Sequence, residues 1–163
     1  MSGYFLVDIV SSLTLQEAED ILEGARAAAR EADLLPLTIA VLDSGGNIVA
    51  LRREDGCGTA RSAVALGKAH AALGMGVSSR ELRDRLKDRP AFQGAIAAAT
   101  DGRFIPVPGG VLILNSDGKA IGSVGISGDA SDRDEYAAIA GIQAAGLRSH
   151  PDTPAENWKS AGL

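Results

Sequence analysis

Ala120-Ile121-Gly122-Ser123-Val124-Gly125-Ile126-Ser127-Gly128-Asp129-Ala130-Ser131-Asp132-Arg133-Asp134-Glu135 runs from a glycine-spaced apolar segment straight into an acidic helix start. Ile121, Val124 and Ile126 read as a buried strand, while Gly122, Gly125 and Gly128 remove side chains where another backbone or a ligand approaches closely. The acids that follow complement the positive end of a helix, and Ser131 or Asp129 is placed to cap it. Read alone, the stretch serves equally well as a capped strand-to-helix turn or as one wall of a binding site.

Upstream, Asn115-Ser116-Asp117-Gly118 is a hairpin turn joining this strand to Val111-Leu112-Ile113-Leu114. Before it, Phe104-Ile105 has strand character, interrupted by Pro106-Val107-Pro108-Gly109-Gly110. Another hairpin is predicted where the apolar run 37–42 meets Asp43-Ser44-Gly45-Gly46-Asn47 and returns through 48–51. Thr14-Leu15-Gln16-Glu17 has capping-box spacing, and Leu15, Ala18, Ile21, Leu22, Ala25 and Ala29 trace the inner face of the helix it opens. Three further helices are expected between the hairpins: 60–75, 78–85 with Ser78 and Glu81 as start signals, and 90–100 opened by Pro90. A last helix covers 131–147. The order α-ββ-ααα-βββ-α suits an α/β (α+β) fold with an antiparallel sheet rather than repeating βαβ units.

At 163 residues the chain fits one domain, expected over 1–147, with residues 148–163 leaving it as a tail. Trp158, the sole tryptophan, is expected to dock that tail on a neighbouring subunit, since amphipathic indoles favour interfaces. A formal charge of −5 and 4% aromatics, with no run of Lys or Arg, argue against nucleic acid as partner. One cysteine, Cys57, excludes an intrachain disulfide and multi-cysteine metal sites, as expected of a reducing, cytoplasmic setting. The stretch Met1-Ser2-Gly3-Tyr4-Phe5-Leu6-Val7-Asp8 lacks signal-peptide character, and no apolar run approaches the ~20 residues that span a bilayer.

Several residues invite chemistry. Arg61 and Lys68 are seven apart and share a helix face, whereas His70 points away from Lys68 at about 100° per residue. Arg61 with Lys68 suits a carboxylate ligand; a solvated helix face is the plainer alternative. His70 is either a packed histidine or a general base or metal ligand, and His150 is expected to be exposed. Gly109 and Gly110 offer backbone N–H groups to an anion, or simply mark a proline-stiffened crossover. Neither histidine has a metal-binding companion at helical spacing, no Walker motif is present, and the acids 129–135 do not match an EF-hand. No dedicated metal site is therefore assigned.

In this order the motifs carry a resemblance. Leu13-Thr14-Leu15, Ile39-Ala40-Val41-Leu42-Asp43-Ser44-Gly45-Gly46, Lys68-Ala69, Pro106-Val107-Pro108-Gly109-Gly110-Val111 and Gly122-Ser123-Val124-Gly125-Ile126-Ser127-Gly128 with Asp134-Glu135 together resemble the GlcG/HbpS-like, haem-degrading-domain family, which includes PduO-type C-terminal domains. The resemblance spans about residues 12–147. It implies a five-stranded antiparallel sheet flanked by helices, similar to profilin and PAS sheets, in a homo-oligomer of four to eight copies. It also implies haem as a possible cofactor and a cleft walled by Lys68, Gly109, Gly110, Ser127, Gly128 and Asp134.

The PduO-type branch ligates haem through a histidine near its N-terminus. No histidine precedes His70 here, which leaves His70 as the foremost candidate ligand, ahead of His150, Cys57, Met75 or a tyrosine. Two functions follow. One is a small-molecule-binding protein for haem or another carboxylated ligand, held by Arg61, Lys68 and the Gly109-Gly110 backbone. The other is a cofactor-independent catabolic enzyme for proton transfer, hydrolysis or elimination on a small carboxylated compound, with Asp134, Lys68 and His70 as its catalytic groups. A purely structural oligomer or accessory protein is the third reading.

Overall fold

The computed structural model describes residues 6–163; residues 1–5, within the N-terminal stretch read above, lie outside the described residues. Among the described residues the elements run α1 (Leu15–Glu31), β1 (Thr38–Asp43), β2 (Ile48–Arg53), α2 (Arg61–Met75), α3 (Ser79–Leu86), α4 (Pro90–Ala99), β3 (Gly110–Leu114), β4 (Ala120–Ser127), α5 (Ser131–Ala144) and β5 (Arg148–His150), with a 3-10 turn at Trp158–Ser160. The strands form one five-stranded sheet in the order β2-β1-β4-β3-β5, antiparallel at every pairing. The mixed α/β class and the antiparallel sheet are those expected from the sequence.

One strand has a different source. Phe104-Ile105 does not enter the sheet; its backbone docks on α2, where the Ile105 N–H donates to the Gly67 carbonyl at 3.1 Å. The fifth strand is Arg148–His150, three residues of the expected tail, paired with β3 at Leu112↔His150, Ile113↔Ser149 and Leu114↔Arg148. The order is thus α-ββ-ααα-ββ-α-β. The tail stays against its own domain beyond that point, with Trp158 stacked on Tyr136 of α5 at a 3.6 Å centroid distance.

Start signals behave largely as read. Thr14 Oγ1 accepts from the Glu17 N–H at 3.1 Å while Glu17 Oε2 accepts from the Thr14 N–H at 2.8 Å, completing the capping box. Ser78 Oγ caps α3 by accepting from the Glu81 N–H. The last helix departs from expectation: Ala130 is its N-cap, with no side-chain cap bond. Asp129 instead accepts from the Leu35 N–H at 2.8 Å and the Ala130 N–H at 2.7 Å, tying the loop after α1 to the end of β4.

The two sheet faces carry different chemistry because side chains alternate along a strand. Ile39, Val41, Val111, Ile113, Val124 and Ile126 form one face and pack with Ile21, Leu22, Ala25 and Ala29 of α1 and with Ala137, Ala138 and Ile142 of α5. The opposite face has one bare row, where Ala40, Gly125 and Gly110 lie abreast. There α2 lies directly on the strands. A Cβ at Gly125 would collide with the Ala65 carbonyl and one at Gly110 with the Lys68 carbonyl, and Ser123 Oγ donates to the Ala69 carbonyl at 3.0 Å. Gly125 therefore serves close helix-on-sheet packing, while Gly122 and Gly128 make room for the Leu42 carbonyl and for the backbone of Pro36 and Leu37.

Candidate functional site

Close packing of α2 carries Lys68 across the end of β4. Its ammonium, 2% exposed, donates to the Ile126 carbonyl at 2.9 Å and to Asp134 Oδ2 at 2.9 Å. Asp134 Oδ1 accepts from the Asp129 N–H at 2.9 Å, so both carboxylate oxygens are bonded. Gly109, at φ +118°, leaves space for this arrangement: a Cβ there would lie 2.8 Å from the Ile126 carbonyl oxygen and 2.9 Å from Lys68 Nζ. Arg61, on the same α2 face, donates to Ser127 Oγ at 3.3 Å. The structure thus brings Arg61, Lys68, Gly109, Ser127 and Asp134 together.

The same geometry closes the Lys68–Asp134 pair to solvent, while Arg61 stays half-buried at its edge. Asp134, Ser127 and Glu135 are fully buried, and the Gly110 N–H is taken by Ser79 Oγ at 2.7 Å. Gly128 faces elsewhere, against the backbone of Pro36 and Leu37. Burial pushes the Asp134 carboxyl up to about 6 against the pull of Lys68, and burial lowers the Lys68 ammonium, with Asp134 opposing. The 2.9 Å contact and the second acceptor at Ile126 mark a hydrogen-bonded ion pair. It clamps α2, β4 and α5 to one another.

Glu135, beside it, reads in the sequence only as a helix-start acid and part of the family motif, with no partner indicated. Burial raises its carboxyl to about 7; among the described residues its oxygens make no hydrogen bond, and Arg80 Nη1 lies 3.4 Å away. Arg80 is 55 positions earlier and on another helix, so no local spacing announces the pair.

His70 opens on a different surface. It is half-buried and lines a recess of about 370 Å³ with Gly45, Gly46, Asn47, Thr100 and Arg103. A smaller hollow of about 220 Å³, bounded by Ser44 and Leu73, adjoins it. Burial lowers the imidazole below its ordinary value, with the Arg103 guanidinium adding to the effect. The imidazole makes no hydrogen bond within the described residues, and the positive-φ turn at Gly46 comes close to its Cε1–Nδ1 edge. Arg103 is exposed and spends its Nε on the Thr100 carbonyl at 3.2 Å, leaving its terminal N–H groups to face outward chemistry. The sequence marks 43–47 as a turn and 43–46 as part of the family motif and gives Arg103 no role; the recess forms where that turn meets His70 of α2.

The other candidates are occupied or peripheral. His150 Nε2 lies 3.2 Å from Glu81 Oε1, Cys57 is buried against Thr38 Oγ1 at 3.3 Å, and Met75 is 41% exposed. Among the described residues no cluster of three or more His, Cys, Asp or Glu could hold a metal ion, and no helix is long and apolar enough to cross a membrane.

An antiparallel sheet with α1 and α5 on one face and α2 laid on bare glycines on the other defines a class of small α+β domains. Within that class, residues 13–143 match the family described as haem degrading protein HbpS-like, and the chain belongs to that family. A Citrobacter freundii protein described as an uncharacterized 15.0 kDa protein in the dhaT-dhaS intergenic region is 28% identical over 129 residues, 79% of this chain and 89% of its own length. The PduOC:heme complex superposes with a TM-score of 0.76 at 25% identity, covering 86% of this chain and 99% of that one. A Streptomyces reticuli HbpS double mutant gives 0.68 at 26% identity, covering 88% and 92%. Klebsiella pneumoniae ORFY gives 0.75 at 22% identity, covering 89% and 98%, and shares the fold.

Proposed function

We propose that this protein binds haem or another carboxylated planar ligand, with His70 as its iron ligand and Arg103 as its carboxylate partner. The observation that carries the reading is one recess lined by an imidazole with no hydrogen bond among the described residues and by a guanidinium bonded only through its Nε. A lowered imidazole value keeps the ring neutral, and hence able to donate a lone pair, well into mildly acidic solution. Arg103 supplies planar donors suited to a propionate, and Gly45, Gly46 and Gly74 let a flat ring approach the backbone. The residues present therefore fit haem, which when bound would supply a ligand-accepting iron. Family membership and the likeness to the PduOC:heme complex support the same reading.

The enzyme alternative would draw on Lys68 and Asp134 together with His70, which lies apart from them on another surface. The polar atoms of Lys68 and Asp134 are paired with each other and closed to solvent, which favours the binding reading. Homo-oligomerisation belongs to it, because the recess is open on its outer side and a neighbouring copy would cover it.

Haem titration of the purified protein tests the proposal. A saturable Soret shift at one haem per chain is expected, abolished by His70→Ala and weakened several-fold by Arg103→Ala. It should persist below pH 6.5 and fade only on stronger acidification, when the imidazole protonates. No saturable shift, or one unchanged in His70→Ala, would overturn it.

A further inference from the structure

On the opposite side of the sheet from α2, where the end of α1 meets the free edge of β2, a cavity of about 620 Å³ is lined by Arg26, Arg30, Arg52, Arg53, Glu54 and Asp55. Four arginines line one cavity in a chain whose formal charge is −5, although strand alternation sends the Arg53 side chain to the other face of β2 from Arg52. Arg26 and Arg30 are one helical turn apart and share a face of α1, while Arg52 and Arg53 end an edge strand.

The arrangement is built around one half-buried acid. Glu54, its side chain 15% exposed, accepts from the Leu37 N–H at 2.7 Å and from Arg30 Nη2 at 3.2 Å through Oε2. Its Oε1 lies 3.5 Å from Arg26 Nε. The backbone bond fixes the carboxylate, and the carboxylate orients the two helix arginines. Arg53 is held from the other side by the Cys57 carbonyl at 2.8 Å, and Arg52 by Glu19 and Glu23 of α1.

Each guanidinium carries five N–H donors. Within the described residues the four together make bonds to Glu23, Leu35, Glu54, Glu19 and Cys57 only, so more than half of their donors stay available. Glu54 and Asp55 in the lining, with Glu19 and Glu23 paired to Arg52 and Arg26, balance the four guanidinium charges, so the cavity offers oriented spare donors rather than a net positive charge. Oriented arginine forks with spare donors are what bidentate recognition of clustered anionic oxygens requires.

We infer that this cavity binds a compact small-molecule polyanion carrying at least two negative charges on clustered oxygens, as in a phosphate ester or a di- or tricarboxylate. The site is separate from the His70 recess and stands independently of the haem reading. A 620 Å³ volume exceeds an inorganic ion and fits a small metabolite bearing such a group.

Isothermal titration calorimetry of the full chain with pyrophosphate and with citrate, in low salt, tests the assignment; the tighter of the two identifies the oxygen chemistry. One saturable site per chain is expected. Its affinity should fall at least tenfold in Arg26→Gln/Arg53→Gln and several-fold in Arg30→Lys, which keeps the charge but loses the fork. It should weaken steeply between 50 and 300 mM salt, on the order expected for charge-dominated contacts, and be untouched by His70→Ala. Circular dichroism melts verify that each variant is folded. Absence of saturable binding for both probes, or binding unchanged in the folded double variant, would overturn the inference.

Discussion

Lys68 spends its charge inside the protein. A lysine 2% exposed keeps its ammonium only because Asp134 and the Ile126 carbonyl surround it, and Asp134 stays ionised only because Lys68 and the Asp129 N–H offset its burial. Breaking such a pair costs about 3–5 kcal/mol, since one charge is left uncompensated, while replacing both partners with apolar groups is far less damaging. Lys68→Met should therefore lower the denaturation midpoint sharply, and Lys68→Met/Asp134→Leu should recover much of the loss. The single variant's deficit should grow from pH 5 to pH 8. Its buried carboxyl, freed of Lys68, sits even further above the ordinary range, and a group with a raised folded value loses stability as pH rises through that range. Equal midpoints for Lys68→Met and the parent in guanidinium melts would show that the pair is no clamp. The sequence disclosed part of this cluster. Helical periodicity put Arg61 and Lys68 on one face, and family resemblance placed Asp134 nearby. Closure of the cluster was hidden, because it depends on how near α2 comes to the sheet.

That nearness is a property of elements, and it resides in the bare positions of β3 and β4. Gly125 is the sharpest case: an added Cβ would run into the Ala65 carbonyl and sit 2.9 Å from the Ala69 Cβ. Gly125→Ala has to push α2 outward, dragging Lys68 with it, at a cost of about 3 kcal/mol. Gly74, near the end of the same helix, has nothing within 4 Å of an added Cβ. Gly74→Ala should instead gain about 0.5–1 kcal/mol from helix propensity. Thermal melts of the two variants side by side check the contrast; similar shifts would refute the packing argument. At this scale the helices and hairpins were legible because caps, turns and apolar periodicity are local signals. The fifth strand was not. Arg148-Ser149-His150 is too short and polar to show an alternation, and it becomes a strand because the edge of β3 offers unpaired backbone groups. Phe104-Ile105 shows the reverse: its apolar character suits a strand, yet Gly67 leaves a hollow on α2 that Ile105 fills.

For the whole molecule, the odd member is α4, Pro90–Ala99, an apolar helix none of whose residues is buried. Phe92 stands 37% exposed, and Leu6, Val7, Ile9 and Val10 in the segment before α1 are 89–94% exposed. Exposed apolar side chains of this size are available for contact with another molecule, and the expected homo-oligomer supplies one. The position of α4 links assembly to ligand: its last residue, Ala99, and the following Thr100 line the His70 recess, so a neighbour seated on α4 would also roof the proposed haem site. Phe92→Glu places a charge on that surface without touching the recess lining. Size-exclusion chromatography with light scattering should show the parent chain as a multimer and Phe92→Glu as a smaller, still folded species. Haem affinity should fall in parallel, because the roof leaves while His70 and Arg103 remain. A parent chain that is monomeric at working concentration would refute the interface, and a dissociated Phe92→Glu retaining full haem affinity would show that a single chain completes the recess.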